Sequence, residues 1–209
     1  MLRNIAVMVS GGGTNLQALI DAQERGELSS GKIALVIASR EGAYALERAK
    51  RAGIPTAVIP RKDYATQEAF DQAILNAWKE ARIHLVVLAG DLSILSAAVT
   101  GGDYRDRIIN VHPSLIPSFC GEGFYGLRVH EAALEKGVKV TGATVHMVNE
   151  VPDGGKILLQ KAVEVREGDT PEALQKRVME EAEWVLLPQA AERMCRELPP
   201  LYEQTCMSR

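Results

Sequence analysis

Asn110 and His112 stand two residues apart in the run Ile108-Ile109-Asn110-Val111-His112, which ends at Pro113. On a strand alternate side chains share a face, so the carboxamide and the imidazole lie side by side. Each can donate a hydrogen bond, and two donors aimed at one point suit an oxygen that gains negative charge in a transition state. In an open α/β sheet the carboxyl end of such a strand is where ligands bind. A lone histidine there would read as a strand terminus; the donor two residues earlier favours chemistry.

The loop Ser10-Gly11-Gly12-Gly13-Thr14-Asn15 follows the apolar run Ile5–Val9 and precedes the helical stripe Leu16, Leu19 and Ile20. Glycines at a strand-to-helix turn let backbone N–H groups approach an anion, and the helix dipole adds to the attraction. The loop has neither the lysine of a P-loop nor the spacing of a dinucleotide fingerprint. Thr14 and Asn15 instead offer side-chain donors, as suits a small phosphomonoester; a plain tight turn is the competing reading. Thr14 and Gln17 also have the spacing of a capping box. A third candidate, Asp153, precedes Gly154-Gly155, where backbone freedom can turn a carboxylate inward. Beside a histidine it would favour the imidazolium and pass a proton through water. Spacing alone leaves Asp-Gly-Gly an ordinary turn.

What is missing narrows the reaction. No HExxH or comparable metal-ligand cluster is present, so no metal is expected. No GxSxG elbow appears, and Cys120 has no local partner that would activate it. Acyl transfer without a covalent adduct remains, driven by positioning and oxyanion stabilisation.

These residues need elements to hold them. Ile5–Val9, Ile33–Ile37, Thr56–Ile59, Leu85–Leu88 and Ile108–His112 read as buried strands. Between them, Leu16–Ile20 and Ala43–Ala52 read as helices, the second stopped by Gly53 and Pro55, and Phe70, Ile74 and Trp78 mark another. The alternation predicts an open, mostly parallel twisted sheet with helices on both faces, a Rossmann-like α/β fold. Further on, Ser114–Tyr125 reads as a loop and Leu127–Lys136 as a helix. Thr141–Met147 and Lys156–Val163 read as strands able to pair across the loop Val148–Gly155. Thr170 caps a last long helix with Pro171 in its first turn; Leu174, Val178, Ala182 and Val185 form its inner stripe, and Pro188 is expected to bend or end it. No linker or repeat interrupts the chain, so residues 1–209 are expected to form a single domain.

The 209 residues are long enough to bury about 70% of their unfolded surface. With 46% hydrophobic and 24% charged residues the chain has the balance of a globular protein, not of a disordered one. A net charge of −3 provides no basic footprint for nucleic acid. Cys120, Cys195 and Cys206 show no paired or metal-ligand spacing. No secretory signal is visible, and no apolar run approaches the roughly 20 residues of a membrane helix. A reduced, cytoplasmic protein without membrane partners is expected, monomeric or homodimeric.

Taken together, Val9–Asn15, Asn110–Pro117 and Gly142–Gln160 resemble the glycinamide ribonucleotide formyltransferases in order, spacing and context. The segment Asn110-Val111-His112-Pro113-Ser114-Leu115 alone is similar to the wider superfamily of 10-formyltetrahydrofolate transferases. The glycine loop and compact length select the member. The resemblance implies a formyltransferase fold and 10-formyltetrahydrofolate as formyl donor. It implies Gly13, Thr14 and Asn15 as holders of the substrate phosphate, and Glu183 as a contact to its ribose or glycinamide end. Leu92, Ser93, Ile94 and Leu95 would line the pterin pocket, with Asn110, Val148 and Asn149 also at the folate. Asn110, His112 and Asp153 would be catalytic, the first two on the tetrahedral oxyanion and Asp153 keeping His112 protonated. His146 matches a family histidine and reads equally as catalytic or structural. The chain departs from the family pattern at Asp91, at Lys156 and at Gln67, where an arginine assisting the folate is expected.

Other readings stay in view. A 10-formyltetrahydrofolate deformylase usually carries an extra N-terminal domain, and a transferase for methionyl-tRNA a C-terminal barrel and basic surface. Sugar-nucleotide transferases would not need the glycine loop. A non-catalytic phosphosugar-binding module is compatible with the fold, but has no use for paired oxyanion donors and a proton relay. A nicotinamide enzyme lacks both the glycine spacing and an acidic residue at Ser39-Arg40.

Overall fold

The apolar runs form strands and the periodic stretches form helices, alternating through the first half of the chain. The computed structural model describes residues 2–90, 95–199 and 201. In chain order the elements are β1 (Arg3–Val9), α1 (Thr14–Glu24), β2 (Gly31–Ala38), α2 (Tyr44–Arg51), β3 (Thr56–Val58), α3 (Gln67–Glu80) and β4 (Leu85–Leu88). They continue with α4 (Ala97–Gly101), β5 (Ile108–His112), α5 (Leu127–Lys136), β6 (Val140–Met147), β7 (Ile157–Glu164), α6 (Pro171–Val178) and α7 (Trp184–Glu197). The strands form one seven-stranded sheet in the order β3-β2-β1-β4-β5-β6-β7. β1 to β5 run parallel, β6 returns antiparallel to β5, and β7 is antiparallel to β6, the two pairing as expected.

The sheet is covered on both faces, which is why its central strands are apolar on both sides. Ile5, Val7 and Val9 of β1 pack with Leu16, Leu19, Leu187 and Ala191 in one core. Ala6 and Met8 point the other way, to Phe70, Ile74, Trp78 and Ile108. From β1 the chain steps outward to β2 and β3, then crosses back to β4 and β5. The loops after β1 and β4 therefore diverge and leave a crevice at the carboxyl edge, the usual ligand position in such sheets. No described helix is long and apolar enough to cross a membrane.

Two local expectations fail, the capping box of α1 and the inner stripe of the last helix. Gly13, not Thr14, is the N-cap of α1, and no side chain caps that helix, so Thr14 and Gln17 make no capping box. Thr170 does cap α6 from its hydroxyl, with Pro171 following. A five-residue π-turn, Met179–Glu183, then separates α6 from α7. Its wider coil rotates the face that follows. Val185 is half-buried in consequence, and Leu186, Leu187, Ala190, Ala191 and Met194 carry the inner stripe. Pro188 does not end the helix, which runs on to Glu197.

Candidate functional site

β5 and β6 are registered so that Asn110 lies opposite His146 and His112 opposite Thr144. Cross-strand neighbours of this kind have Cβ atoms about 4.5–5.5 Å apart, and Asn110 Nδ2–H donates to His146 Nε2 over 3.2 Å. Asp153 enters from the loop between β6 and β7 with φ at 55°, a left-handed conformation that costs a side-chain-bearing residue about 1–2 kcal/mol. Its carboxylate meets both imidazoles: Oδ2 is 3.5 Å from His112 Nδ1, and Oδ1 is 3.4 Å from His146 Nε2. The Gly121 N–H donates to the same Oδ2 at 2.9 Å. His112 is anchored by its far nitrogen, Nε2–H donating to the Phe119 carbonyl at 2.8 Å.

This arrangement sets the charges. Burial pushes the Asp153 carboxyl up, but its polar surroundings, the Gly121 N–H and His112 among them, outweigh it and hold it below the usual aspartate range. Asp153 is therefore a carboxylate near neutrality, set against His112 Nδ1. His130, buried on α5, is pushed down to about 4 by burial and by repulsion from His112, so it stays neutral beside the cluster.

The loop between β5 and α5 owes its course to Thr144. Its buried hydroxyl donates to the Ser114 carbonyl at 2.7 Å and accepts from the Ile116 N–H at 3.1 Å. Gln160 Nε2–H donates both to that hydroxyl and to the Ile116 carbonyl. These bonds fix the segment that carries Phe119 and Gly121, the two backbone partners of the cluster. A cavity of about 170 Å³ opens beside Asn110, His146 and Asp153, walled by Leu88, Leu95, Val148 and Asn149.

A second group forms at the start of α1. Gly13 has φ at 72°, and a Cβ there would come within 2.6 Å of the Ala45 Cβ, so only glycine fits. With no side-chain cap, the first N–H groups of α1 face the loop at the positive end of the helix dipole. Arg48 of α2 reaches the same loop, donating to the Gly12 carbonyl at 2.8 Å and to Gln17 Oε1 at 3.0 Å. Thr14, Gln17, Arg48 and Trp184 line a cavity of about 270 Å³. Asn15 is buried and donates from Nδ2 to Glu183 Oε2 at 2.8 Å. Burial pushes the Glu183 carboxyl up to about 7, against the lowering effect of that bond.

The structure thus gathers Asn110, His112 and Asp153 in one cluster, Leu95, Val148 and Asn149 around its cavity, and Gly13, Thr14, Asn15 and Glu183 in the second group. Leu92, Ser93 and Ile94 lie outside the described residues, as does Asp91. Gln67 sits at the start of α3 and accepts from Arg61 Nε–H at 2.9 Å, so a guanidinium stands beside it after all. His84 precedes β4 and accepts from the Asn4 N–H at 3.1 Å, away from both groups. Sequence reasoning missed Arg48, Thr144, Gln160 and the backbone partners at Phe119 and Gly121. Alternation along β6 puts Thr144 on the face of His146; nothing local points to the others, which tertiary folding delivers.

An open sheet with paired donors and a carboxylate at its carboxyl edge defines a group-transfer site of the formyl transferase kind, and the comparisons agree. Residues 3–190 match the formyl transferase family, and the chain belongs to it. Within that family it is similar to the phosphoribosylglycinamide formyltransferase of Haemophilus influenzae, 41% identical over 180 residues, covering 86% of this chain and 82% of that protein. The crystal structure of glycinamide ribonucleotide transformylase 1 from Symbiobacterium toebii matches with a TM-score of 0.86 and 40% identity, over 93% of this chain and 88% of that one. The trifunctional purine biosynthetic protein adenosine-3 of Gallus gallus is 44% identical over 176 residues. That match takes in 84% of this chain, which spans 17% of the trifunctional protein's length.

Proposed function

We infer that this chain transfers the formyl group of 10-formyltetrahydrofolate to the amine of N1-(5-phosphoribosyl)glycinamide, a step of purine biosynthesis. The observation that carries the reading is that Asn110 and Asp153 line one cavity, with His112 set against Asp153 behind it. The phosphate of the ribonucleotide sits on the N–H groups of Gly13, Thr14 and Asn15, with Arg48 adding positive charge. Glu183 faces its ribose or glycinamide end. The pterin end of the folate enters between Leu95 and the Val148–Asp153 loop, whose apolar walls and scattered polar atoms suit a flat heterocycle.

The substrate amine attacks the formyl carbon, and the carbonyl electron pair moves onto oxygen. The N–H of Asn110 and the His112 imidazolium stabilise that oxyanion. Since Nε2–H of His112 is committed to Phe119, the donor at the reaction centre is Nδ1–H, beside Asp153. Collapse of the intermediate restores the carbonyl and releases the folate nitrogen. The proton lost by the amine reaches that nitrogen through Asp153, His112 and water.

The test is a spectrophotometric assay of purified protein with a 10-formylfolate donor, with and without glycinamide ribonucleotide. Folate deformylation that depends on the amine supports the transfer. Equal deformylation without it identifies a hydrolase, and ribonucleotide binding without turnover identifies a binding module.

A further inference from the structure

His146 Nε2 is claimed twice. It lies 3.2 Å from Asn110 Nδ2 and 3.4 Å from Asp153 Oδ1. The other ring nitrogen, Nδ1, is 2.7 Å from the Met147 carbonyl, which can only accept, so Nδ1 carries a hydrogen in every charge state. A neutral His146 ring therefore has its lone pair on Nε2, where it accepts from the Asn110 amide. A protonated ring has a hydrogen there, donates it to Asp153 and confronts the Asn110 N–H with another N–H. One nitrogen cannot serve both partners at once.

We propose that His146 is the positioning residue of Asn110, its neutral Nε2 holding one amide hydrogen so that the other points to the reacting oxygen. Without that acceptor the carboxamide is free to turn its carbonyl toward the oxyanion and repel it. The proposal rests on the transfer reaction above and adds a fourth residue to it. Of the described groups near this ring, β5 contributes His112, the loop after β6 Asp153 and Glu150, and the loop after β5 Cys120 beside Asp153. α5 adds His130 against His112, and β7 sets apolar Ile157 opposite His146.

Two readouts test this. Long-range proton–nitrogen correlation spectra of histidine-labelled protein report each ring's tautomer without turnover, the His146 signals being assigned by their loss in His146→Gln. The expected form is Nδ1–H with a bare Nε2; the Nε2–H tautomer would overturn the proposal. In steady-state kinetics, His146→Gln retains an acceptor that cannot be protonated. Its kcat at neutral pH is expected within about fivefold of the parent. His146→Leu removes the acceptor, and its kcat is expected to fall at least about tenfold with KM for both substrates within about threefold. Equal losses in both variants would show a merely structural histidine. Absence of formyl transfer in the parent defeats the functional reading, and the tautomer spectra still decide the role of His146 toward Asn110.

Discussion

A carboxylate set between two imidazoles decides how each is used, and in this chain it is placed by a residue that accepts backbone strain to be there. Asp153 keeps its left-handed φ of 55° with the Gly121 N–H and His112 Nδ1 both at its Oδ2. Asn110→Ala, His112→Ala and Asp153→Ala should each lower turnover at least about tenfold with the fold intact, a lost oxyanion donor being worth about 2.7–4 kcal/mol of barrier. Near-normal turnover with an unchanged circular dichroism spectrum would remove that residue from the mechanism. Strand alternation alone made Asn110 and His112 legible as a pair. Asp153 was legible only through family resemblance, because it meets β5 at His112 and, 32 residues away in sequence, the loop at Gly121. Glu183 supports a prediction of another kind. Its folded value is about 7 against 4.5 for the free carboxyl, so between those values the folded protein keeps a proton that the unfolded chain gives up. The associated stability is full below about 4.5 and is lost as pH rises through about 7. Glu183→Gln, uncharged throughout, should therefore gain on the parent with rising pH. The gap in melting temperature should widen by a few degrees (~2–4 °C per kcal/mol) between pH 5 and pH 8.5. A gap that does not change with pH would show that Glu183 titrates as an ordinary exposed carboxyl.

At the scale of elements, strands were easier to read than helix ends. A parallel strand covered on both faces must be an unbroken apolar run, so Leu85–Leu88 and Ile108–His112 have the bounds that their sequence suggests. Helix ends depend on what the rest of the fold offers. Thr14 and Gln17 have capping spacing, but the approach of α2 to Gly13 starts α1 on a bare glycine. The inner stripe of the last helix could be followed to Ala182 and then slipped, because a π-turn leaves no periodic signature of its own. Tertiary bonding also governs the loop after β5, whose shape is held by Thr144 across the β5–β6 pair. Thr144→Val should strand the half-buried Ile116 N–H and the buried Ser114 carbonyl and cost about 1–3 kcal/mol in chemical denaturation. Thr144→Ser keeps the hydroxyl and should recover most of that stability. If valine and serine behave alike, the loop is held by packing instead.

Across the whole molecule, the two candidate sites belong to one sheet edge, and β1 is buried in the cores on both faces. Anything that binds the loop after β1 is thereby coupled to the stability of the entire sheet. A ligand at about 100 times its dissociation constant adds about 2.7 kcal/mol to the folded state, which for a chain of this size is a rise of about 5–10 °C in melting temperature. Glycinamide ribonucleotide should produce such a rise in a thermal-shift experiment. Added salt should shrink it, because part of the attraction is between a phosphate and the N-terminus of α1 with Arg48. Gly13→Ala separates this account from nonspecific stabilisation. A Cβ at position 13 meets the Ala45 Cβ at 2.6 Å and its Cα at 2.8 Å, in a backbone conformation with φ at 72°. The variant must push α2 away or give up the loop geometry, and its N–H groups no longer converge on a phosphate. It should lose most of the ribonucleotide's effect while still responding to a folate ligand bound near Asn110. An undiminished shift in Gly13→Ala would place the phosphate elsewhere on the molecule, and loss of both responses would mean that the substitution unfolds the sheet edge as a whole.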